Sequence, residues 1–345
     1  DDLHNFDALS HVVIFSQKGW IIELMTNGQF VSNCTADAMA RAAQSLKSGA
    51  LVAFPTETVY GLGANATNAA AVARIYQVKG RPADHPLIVH VGDMQDIADW
   101  SDDIPDYAIS LARAFWPGPM TLILKRSSLA QDFITGGQET VGLRVPNHTV
   151  ALALLNEFKK IGGKGIAAPS ANRFGHVSPT TAAAVIEELG EYVLEDDLVL
   201  DGGACAVGVE STIIDCTGGT PKVLRPGAVS VAMIEESTGL KTTQSDLSIR
   251  VSGSLENHYA PSAKVLLSDS PTSGQGFIAH STIQTPPGVI RLAAPDDDDE
   301  FAQILYSALR AADAQGLKEV VVAQPMGIGI AVAIRDRLAR AANGR

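Results

Sequence analysis

Short apolar runs alternate with helix-like segments along the first two thirds of the chain. Residues 39–47 are rich in helix formers, and residues 50–54 form an apolar run typical of a buried strand. Residues 56–63 carry polar groups in a segment bounded by glycine and are predicted to form a loop. Further apolar runs predict strands at residues 87–91, 120–124, 140–144, 165–168 and 211–215. This mixture of strands and helices indicates a layered α/β architecture.

Sequence signals predict where two helices of this region begin. Residues 67–78 carry apolar side chains at helical spacing, with Asn65 or Thr67 as the expected cap. Ser178 is a good N-cap, and Pro179 suits the first helical position. Unpaired backbone N–H groups at such a start would attract an anion such as phosphate. The alternative is a capped surface helix with no ligand.

A change of pattern after residue 238 divides the chain. Residues 241–256 are polar without clear periodicity and lead into the sequence HYAP at residues 258–261, which we interpret as a linker. Residues 264–267, 288–292 and 319–323 are predicted strands, and residues 301–314 a predicted helix. The predicted parts are an N-terminal extension (1–36), a main domain (37–238), a linker (239–262) and a small α/β domain (263–345).

Composition places the chain among ordinary globular proteins. Of its 345 residues, 46% are hydrophobic and 19% are charged, whereas disordered chains combine low hydrophobicity with high charge. Cys34, Cys205 and Cys216 form no C-x-x-C pair, which argues against a disulfide framework or a zinc site. No run approaches the roughly 20 apolar residues of a membrane span. The start resembles no signal peptide, so we expect a cytoplasmic protein.

The familiar nucleotide-binding and catalytic motifs are not found. The glycine-lysine run at residues 162–165 lacks the upstream glycine and the hydroxyl residue of a P-loop. Residues 61–66 imitate the dinucleotide pattern G-x-G-x-x-A, but polar residues separate them from the preceding strand. No Ser-His-Asp triad and no H-E-x-x-H pair stands out. Covalent catalysis and zinc catalysis therefore have no basis in the sequence.

A different group of polar residues could bind an anion. Lys79 and Arg81 stand two residues apart after a predicted helix, which suits a polyphosphate or a carboxylate. The alternative is a helix C-terminus that carries favourable positive charge. Ser211, next to Glu210 at a strand start, and Arg225 add a hydroxyl and a further cation. Each of these alone is more often structural, but their combination points to a site.

Eight segments follow one another in a distinctive order. They are residues 55–63 (PTETVYGLG), 79–82 (KGRP), 116–119 (WPGP), 144–146 (RVP), 168–172 (APSAN), 178–180 (SPT), 210–212 (EST) and 224–227 (LRPG). The set resembles the Sua5/YrdC/YciO threonylcarbamoyl-AMP synthases, over about residues 39–229. Residues 258–261 and the domain that follows are similar to the longer Sua5 branch of that family.

The resemblance assigns roles to individual residues. It implies a characteristic catalytic tetrad of Lys79, Arg81, Ser170 and Asn172. It implies threonine contacts from Thr58, His90, Arg144, Ala168 and Ser211. It implies ATP contacts from Arg81, His85, Thr140, Ser170, Ser178 and Arg225, with Tyr259 or His258 of the linker closing the site. His85 is a departure, because many members carry Asn there, and the linker lacks the commoner Pro-Gly-Met.

The fold that the resemblance implies is α/β. It is a three-layer YrdC-like domain, a twisted mixed sheet with helices on both sides, plus a small C-terminal α/β domain. The implied reaction makes threonylcarbamoyl-AMP and pyrophosphate from L-threonine, bicarbonate and ATP for the t6A modification of tRNA. Mg²⁺ would accompany ATP, with no metal site in the protein itself. A threonylcarbamoyl transferase would be the downstream partner.

Two alternatives remain open at this point. A YrdC-like domain can be an RNA-binding module, but a net charge of −12 opposes the phosphate backbone, so weak or no direct tRNA binding is expected. A different enzyme on the same fold, such as a carbamoyl-transfer maturation domain or a riboflavin-precursor synthase, is the other alternative. The Sua5-like linker and C-terminal domain favour the synthase.

Overall fold

The computed structural model describes residues 13–16, 19–21, 36–243, 249–253 and 259–344. Within these ranges, twelve strands form one large sheet and four strands form a second sheet. The twelve are β1 (Val13–Ser16), β2 (Gly19–Ile21), β3 (Val52–Phe54), β4 (Gly61–Asn65), β5 (Ile88–His90), β6 (Ser101–Asp103), β7 (Met120–Arg126), β8 (Thr140–Arg144), β9 (Ile166–Ala167), β10 (Leu198–Val199), β11 (Thr212–Asp215) and β12 (Lys222–Arg225).

The large sheet is mixed. Its strand order is β12-β11-β7-β8-β5-β9-β4-β3-β10-β1-β2, and β6 pairs with β7 beside this path. The pairs β7–β11, β5–β8 and β3–β10 are parallel, and the other described pairs are antiparallel. Because His90 and Arg144 are register partners at the ends of parallel β5 and β8, both lie at the same edge of the sheet.

Helices cover both faces of this sheet. They are α1 (Ala36–Ser48), α2 (Ala69–Lys79), α3 (Ile97–Trp100), α4 (Asp106–Phe115), α5 (Asp132–Thr135), α6 (Thr149–Lys160), α7 (Ala182–Leu189) and α8 (Val231–Thr238). Leu51 and Ala53 pack in the core that contains α2, α4 and α7, whereas Val52 and Phe54 pack in the core that contains α1 and α6. Successive strand residues point to opposite faces, so the predicted three-layer α/β architecture is confirmed.

A second α/β domain follows the linker. Its strands are β13 (Lys264–Leu267), β14 (Gly276–Ile278), β15 (Ile290–Ala293) and β16 (Glu319–Val322), and its helices are α9 (Asp298–Ala314) and α10 (Ile330–Ala342). The strands are parallel, in the order β13-β16-β14-β15. Residues of α9 and α10 share an apolar core with Val59, Val177 and Val209 of the main domain. The second domain therefore packs on the main domain through these two helices.

The predicted elements miss β4 at the centre of the large sheet, and they also miss β6, β10, β12 and β14. The predicted strands at residues 140–144 and 264–267 are β8 and β13. The loop predicted for residues 56–63 is wrong at its end, because β4 begins at Gly61 and pairs with β3 and β9. Glycine contributes no side chain to a hydrophobic pattern, but its backbone still pairs, which explains the error.

Both predicted helix caps are wrong. Asn68 caps α2 by accepting from two backbone N–H groups, whereas Asn65 accepts from the N–H and hydroxyl of Thr67. Helix α7 begins after Thr181, which caps it. Ser178 is buried three residues earlier and does not present a helix start to an anion. Neither side chain caps a helix, because Asn65 is bound by Thr67 and Ser178 by Glu210.

Part of the predicted N-terminal extension belongs to the large sheet. Strand β1 pairs with β2 and with β10, so it continues the sheet beyond β10. Cys34 and His258 lie outside the described residues, whereas Cys205 and Cys216 are buried free thiols. None of the helices in the described ranges has the length and apolarity that crossing a bilayer requires.

Candidate active site

A cleft lies beside the carboxyl ends of β5 and β8, and we call it the central cleft. It is lined by nine of the residues that the sequence analysis singled out, together with Ser252 and Gly253 of the linker. The nine are Thr58, Arg81, His90, Arg144, Ala168, Ser170, Ser211, Arg225 and Tyr259. The separate segments of the sequence motif therefore meet in one place.

One end of the central cleft contains a buried ion pair. Arg144 Nη2 lies 2.8 Å from Glu57 Oε1, and the two side chains are only 5% and 7% exposed. The backbone N–H of Asn147 donates to Glu57 Oε2 at 3.1 Å, and Arg144 Nε donates to the carbonyl oxygen of Gly118 at 3.3 Å. These contacts fix the guanidinium in place. Glu57 lies inside the first sequence motif, but no role was predicted for it.

His90 lies beside this pair as a neutral imidazole. Its ring packs edge-on against Phe54, with 5.9 Å between the ring centroids. Burial, and then the nearby charge of Arg144, lowers the pKa of His90 to about 3. Its Nδ1 has no hydrogen-bond partner among the described residues. Because His90 lines the cleft, a ligand bound there would lie against this uncharged ring.

Two arginines at the other end of the cleft meet at the linker. Arg81 Nη2 donates to the carbonyl oxygen of Pro86 at 3.0 Å and to Ser252 Oγ at 3.2 Å. Arg225 donates to the carbonyl oxygens of Ser211 at 2.9 Å and Ser252 at 2.8 Å. Burial lowers the pKa of Arg81 to about 10, which leaves it cationic at neutral pH. Ser252 therefore links both cations, and no pattern in the sequence predicts this contact.

Two members of the predicted tetrad lie behind the cleft and do not line it. Lys79 is 2% exposed, and its ammonium group donates to the carbonyl oxygens of Ser170, at 2.7 Å, and Asn172. Burial, and then the charge of Arg81, lowers its pKa well below the ordinary value. The side-chain amide of Asn172 donates to the carbonyl oxygens of Arg173 and His176. Both residues shape the loop that carries Ser170 into the cleft.

Three residues predicted to contact ATP also lie outside the cleft lining. Ser178 Oγ donates to Glu210 Oε1 at 2.7 Å. The imidazole of His85 packs edge-on against Phe174, with 5.5 Å between ring centroids. Thr140 begins β8, at the opposite end of the strand from the cleft. Contacts of these residues with ATP remain predictions.

Comparison with known proteins identifies the family. The model of a family described as "Telomere recombination", Sua5/YciO/YrdC, matches residues 44–227. The model of the "Threonylcarbamoyl-AMP synthase, C-terminal domain" matches residues 229–343. The chain belongs to the Sua5/YciO/YrdC family. The resemblance drawn from the eight sequence segments is thereby confirmed.

Relatives of the Sua5 type match both domains. A threonylcarbamoyl-AMP synthase from Pyrococcus abyssi is 38% identical over 88% of this chain and 94% of its own length. One from Bacillus subtilis is 38% identical over 95% of this chain and 98% of its own length. The crystal structure of P. abyssi Sua5 complexed with L-threonine has a TM-score of 0.81 at 36% identity, covering 90% of this chain and 95% of that one. The shared architecture therefore includes the second domain.

Proposed function

We propose that this chain makes threonylcarbamoyl-AMP from L-threonine, bicarbonate or CO₂, and ATP. The observation that carries the proposal is the concentration of three buried arginines, Arg81, Arg144 and Arg225, around one cleft of a Sua5-type chain. Arg144 is paired with Glu57, whereas Arg81 and Arg225 form no ion pair within the described part of the chain and donate to carbonyl and hydroxyl oxygens. Buried arginines in these settings suit ligands that carry several negative charges, such as a carboxylate and a triphosphate. The threonine complex of the P. abyssi relative supports an amino acid as one of these ligands.

The amino acid would occupy the end of the cleft near Arg144. The guanidinium of Arg144 is held by Glu57 and directed by it, so it can receive a carboxylate without rearranging. The ring of His90 carries no positive charge at neutral pH, so it does not attract the carboxylate away from Arg144. Thr58 and Ser211 supply hydroxyls on the cleft wall.

The reaction then needs two bond-forming steps. The neutral amine of threonine forms an N–C bond with CO₂, a proton leaves to solvent, and the product is a carbamate. A carbamate oxygen next forms a bond with the α-phosphorus of ATP, the bond from that phosphorus to the β-phosphate bridging oxygen breaks, and pyrophosphate leaves. Such transfer requires positioning and charge neutralisation rather than a covalent nucleophile. Arg81 and Arg225 line the cleft and would supply that charge.

Mg²⁺ would arrive with ATP, bound to the phosphate oxygens. Among the described residues, no group of three or more His, Cys, Asp or Glu could hold a metal ion. Phosphates plus water commonly complete the octahedral shell of Mg²⁺. Mg²⁺ would therefore enter the cleft as part of the nucleotide substrate.

Tyr259 would close the cleft over the adenylate. It is 1% exposed, lines the cleft, and has a positive φ of 62°, a backbone conformation that residues other than glycine adopt only when their surroundings hold them. A mixed anhydride of a carbamate with AMP is prone to hydrolysis, and closing segments commonly protect such intermediates. The product would pass to a threonylcarbamoyl transferase that modifies tRNA in the cytoplasm.

The test is the dependence of pyrophosphate release on each substrate. Release from ATP should require both L-threonine and bicarbonate, and the product should contain carbon from labelled bicarbonate. ATP turnover that is equal with threonine omitted would contradict the proposal. For the alternative of an RNA-binding module, tRNA filter binding with its salt dependence is decisive, because direct binding weakens steeply as salt rises.

A further inference from the structure

The carboxylate of Glu210 connects the two domains. Its Oε1 accepts from Ser178 Oγ at 2.7 Å, and its Oε2 accepts from the Tyr306 hydroxyl at 2.9 Å and from Arg337 Nε at 2.8 Å. Tyr306 lies on α9 and Arg337 on α10. Two of the three donors to this main-domain carboxylate therefore come from the second domain. Glu210 itself lines the central cleft, next to Ser211.

Arg337 is buried where an apolar residue would be expected. Only 1% of the residue is exposed, and the positions three before, one after and four after it on α10 are buried Ile, Leu and Ala. A guanidinium in such surroundings is costly unless it is paired and hydrogen-bonded. Its Nη2 donates to the carbonyl oxygen of Pro226 at 3.0 Å, directly after Arg225. Arg337 thus contacts both segments that carry Ser211 and Arg225 to the cleft.

The same pair of second-domain residues holds the aromatic ring of the linker. The guanidinium carbon of Arg337 lies 5.3 Å from the ring centroid of Tyr259. The ring of Tyr306 stacks on Tyr259 with 5.8 Å between centroids and 22° between planes. Cation–π and stacked aromatic contacts of this kind fix ring orientation. Tyr259 is therefore fixed from the side of the second domain.

Glu210 remains a carboxylate at any physiological pH. Burial alone would raise its pKa, but the charges of Arg337 and then Arg225 outweigh it and hold the pKa at about 2. A group so acidic does not serve as a proton acceptor in the reaction. Its hydrogen bonds define the geometry of its neighbours instead.

We propose that Arg337 is a positioning residue for the reaction given under Proposed function, on which this inference rests. By holding the Glu210 carboxylate and the Pro226 carbonyl oxygen, it fixes Ser211 and Arg225 on one wall of the central cleft. By lying against Tyr259, it fixes that ring on the lining of the cleft. The second domain thereby sets the geometry of nucleotidyl transfer through one buried side chain.

Arg337→Met tests the proposal, with Arg335→Met as the matched control. Arg335 lies on the same helix, but it donates to the carbonyl oxygens of Pro325 and Gly327 within the second domain. Titration with threonine counts the competent sites in each preparation. Pyrophosphate release per competent site and the ratio of free AMP to adenylate are then measured, because a role in stability alone would change neither quantity.

Arg337→Met should bind threonine with unchanged stoichiometry, whereas its rate per site should fall about 100-fold, the effect of a small misplacement of reacting groups. Its fraction of free AMP should rise, and Arg335→Met should behave as the parent. Arg337→Lys should recover part of the rate, since it keeps the charge beside Glu210 but loses the fork that also reaches Pro226. Parental rate per site and parental AMP fraction in Arg337→Met would overturn the proposal.

Two further measurements keep the test decisive. If Arg337→Met fails to fold, Glu210→Gln/Arg337→Met removes both charges, and the same low rate per site is expected, whereas a parental rate would overturn the proposal. If the parent chain releases no pyrophosphate, the proposed function fails by itself. In that case the positioning role is tested by the rise in Tm that ATP with Mg²⁺ causes. Loss of this rise in Arg337→Met alone supports the role, whereas equal changes in Tm in all variants overturn it.

Discussion

The two ends of the central cleft are built in different ways. At the end near Arg144, the functional groups stand on paired strands of one sheet, and Glu57 and His90 come from the same domain. At the end near Arg81 and Arg225, the cations are linked by Ser252 of the linker and supported from the second domain. One end is therefore preformed by the sheet, whereas the other is assembled when linker and second domain pack in place.

This difference predicts which substitutions affect which property. Changes at the preformed end should affect amino acid binding and the stability of the main domain. Changes at the assembled end should affect the rate of transfer and the protection of the product, with amino acid binding retained.

Arg144→Met should have the largest effect, because it removes the proposed carboxylate contact and leaves Glu57 buried without its partner. We expect a loss of about 3–5 kcal/mol in the free energy of unfolding. The KM for threonine should rise at least about 100-fold. Denaturant unfolding and threonine-dependent pyrophosphate release measure the two effects.

The control is Arg126→Met, which breaks ion pairs with the exposed carboxylates of Asp132, on α5, and of Glu139, directly before β8. Surface pairs of this kind contribute at most about 1 kcal/mol. If Arg144→Met is too unstable, Glu57→Gln/Arg144→Met removes both buried charges and should still bind threonine poorly. An unchanged KM in that double variant would show that Arg144 does not bind the amino acid.

Arg81→Lys should lower the rate of pyrophosphate release by about 10²–10³, the usual effect of losing one preorganised donor. Lysine keeps the charge but cannot place two planar donors toward Pro86 and Ser252 while directing others into the cleft. Arg74→Lys is the matched control, because Arg74 pairs with Asp197 away from the cleft. Near-parental kinetics in Arg81→Lys would show that Arg81 only stabilises the C-terminal end of α2 and does not act in the reaction.

His90→Gln should change how stability depends on pH. The pKa of His90 is about 3 in the folded chain and 6.5 as the ordinary value, so below pH 6.5 the unfolded chain binds the extra proton and the folded chain does not. Stability of the parent therefore falls as pH falls, by about 2 kcal/mol from this residue between pH 7.5 and pH 5.0. Over the same pH range, the free energy of unfolding of His90→Gln, measured in urea, should fall by about 2 kcal/mol less than that of the parent. Parallel curves for parent and variant would contradict a buried neutral His90.

Gly253→Ala should have the smallest effect, confined to the assembled end. Gly253 has a φ of 80°, and a Cβ there would lie 2.1 Å from the Tyr259 hydroxyl. Gly239→Ala is the control, because it also has a positive φ, 68°, but open space around it. Both variants pay about 1 kcal/mol of backbone strain, but only Gly253→Ala should increase the free AMP released per adenylate. Equal increases in free AMP in the two variants would show that backbone strain alone causes the effect.

The sequence predicts the layers of the fold and the segments that meet in the cleft. Apolar runs locate strands such as β7 because strands that are buried on both faces are mostly hydrophobic. The pattern misses β4, where Gly61 and Gly63 pair through the backbone alone. It also misplaces the caps of α2 and α7, because several neighbouring residues can cap a helix and tertiary contacts select among them.

The contacts at the assembled end could not be read from the sequence. Glu210 and Arg337 are 127 residues apart, and nothing local relates them. One indication does exist in α10: Arg337 takes a position on the apolar face, between Ile334 and Leu338. A charged residue on a buried helix face requires a partner, although the sequence does not say which one.

The contrast between a preformed and an assembled end is tested most directly by titrating threonine into the nucleotide-free chain by calorimetry. The parent, Gly253→Ala and Arg144→Met are compared. Parent and Gly253→Ala should bind threonine with Kd values within about threefold of each other, whereas Arg144→Met should bind at least about 100-fold more weakly. If Gly253→Ala loses threonine binding as severely as Arg144→Met, the two ends form a single unit and the account is contradicted.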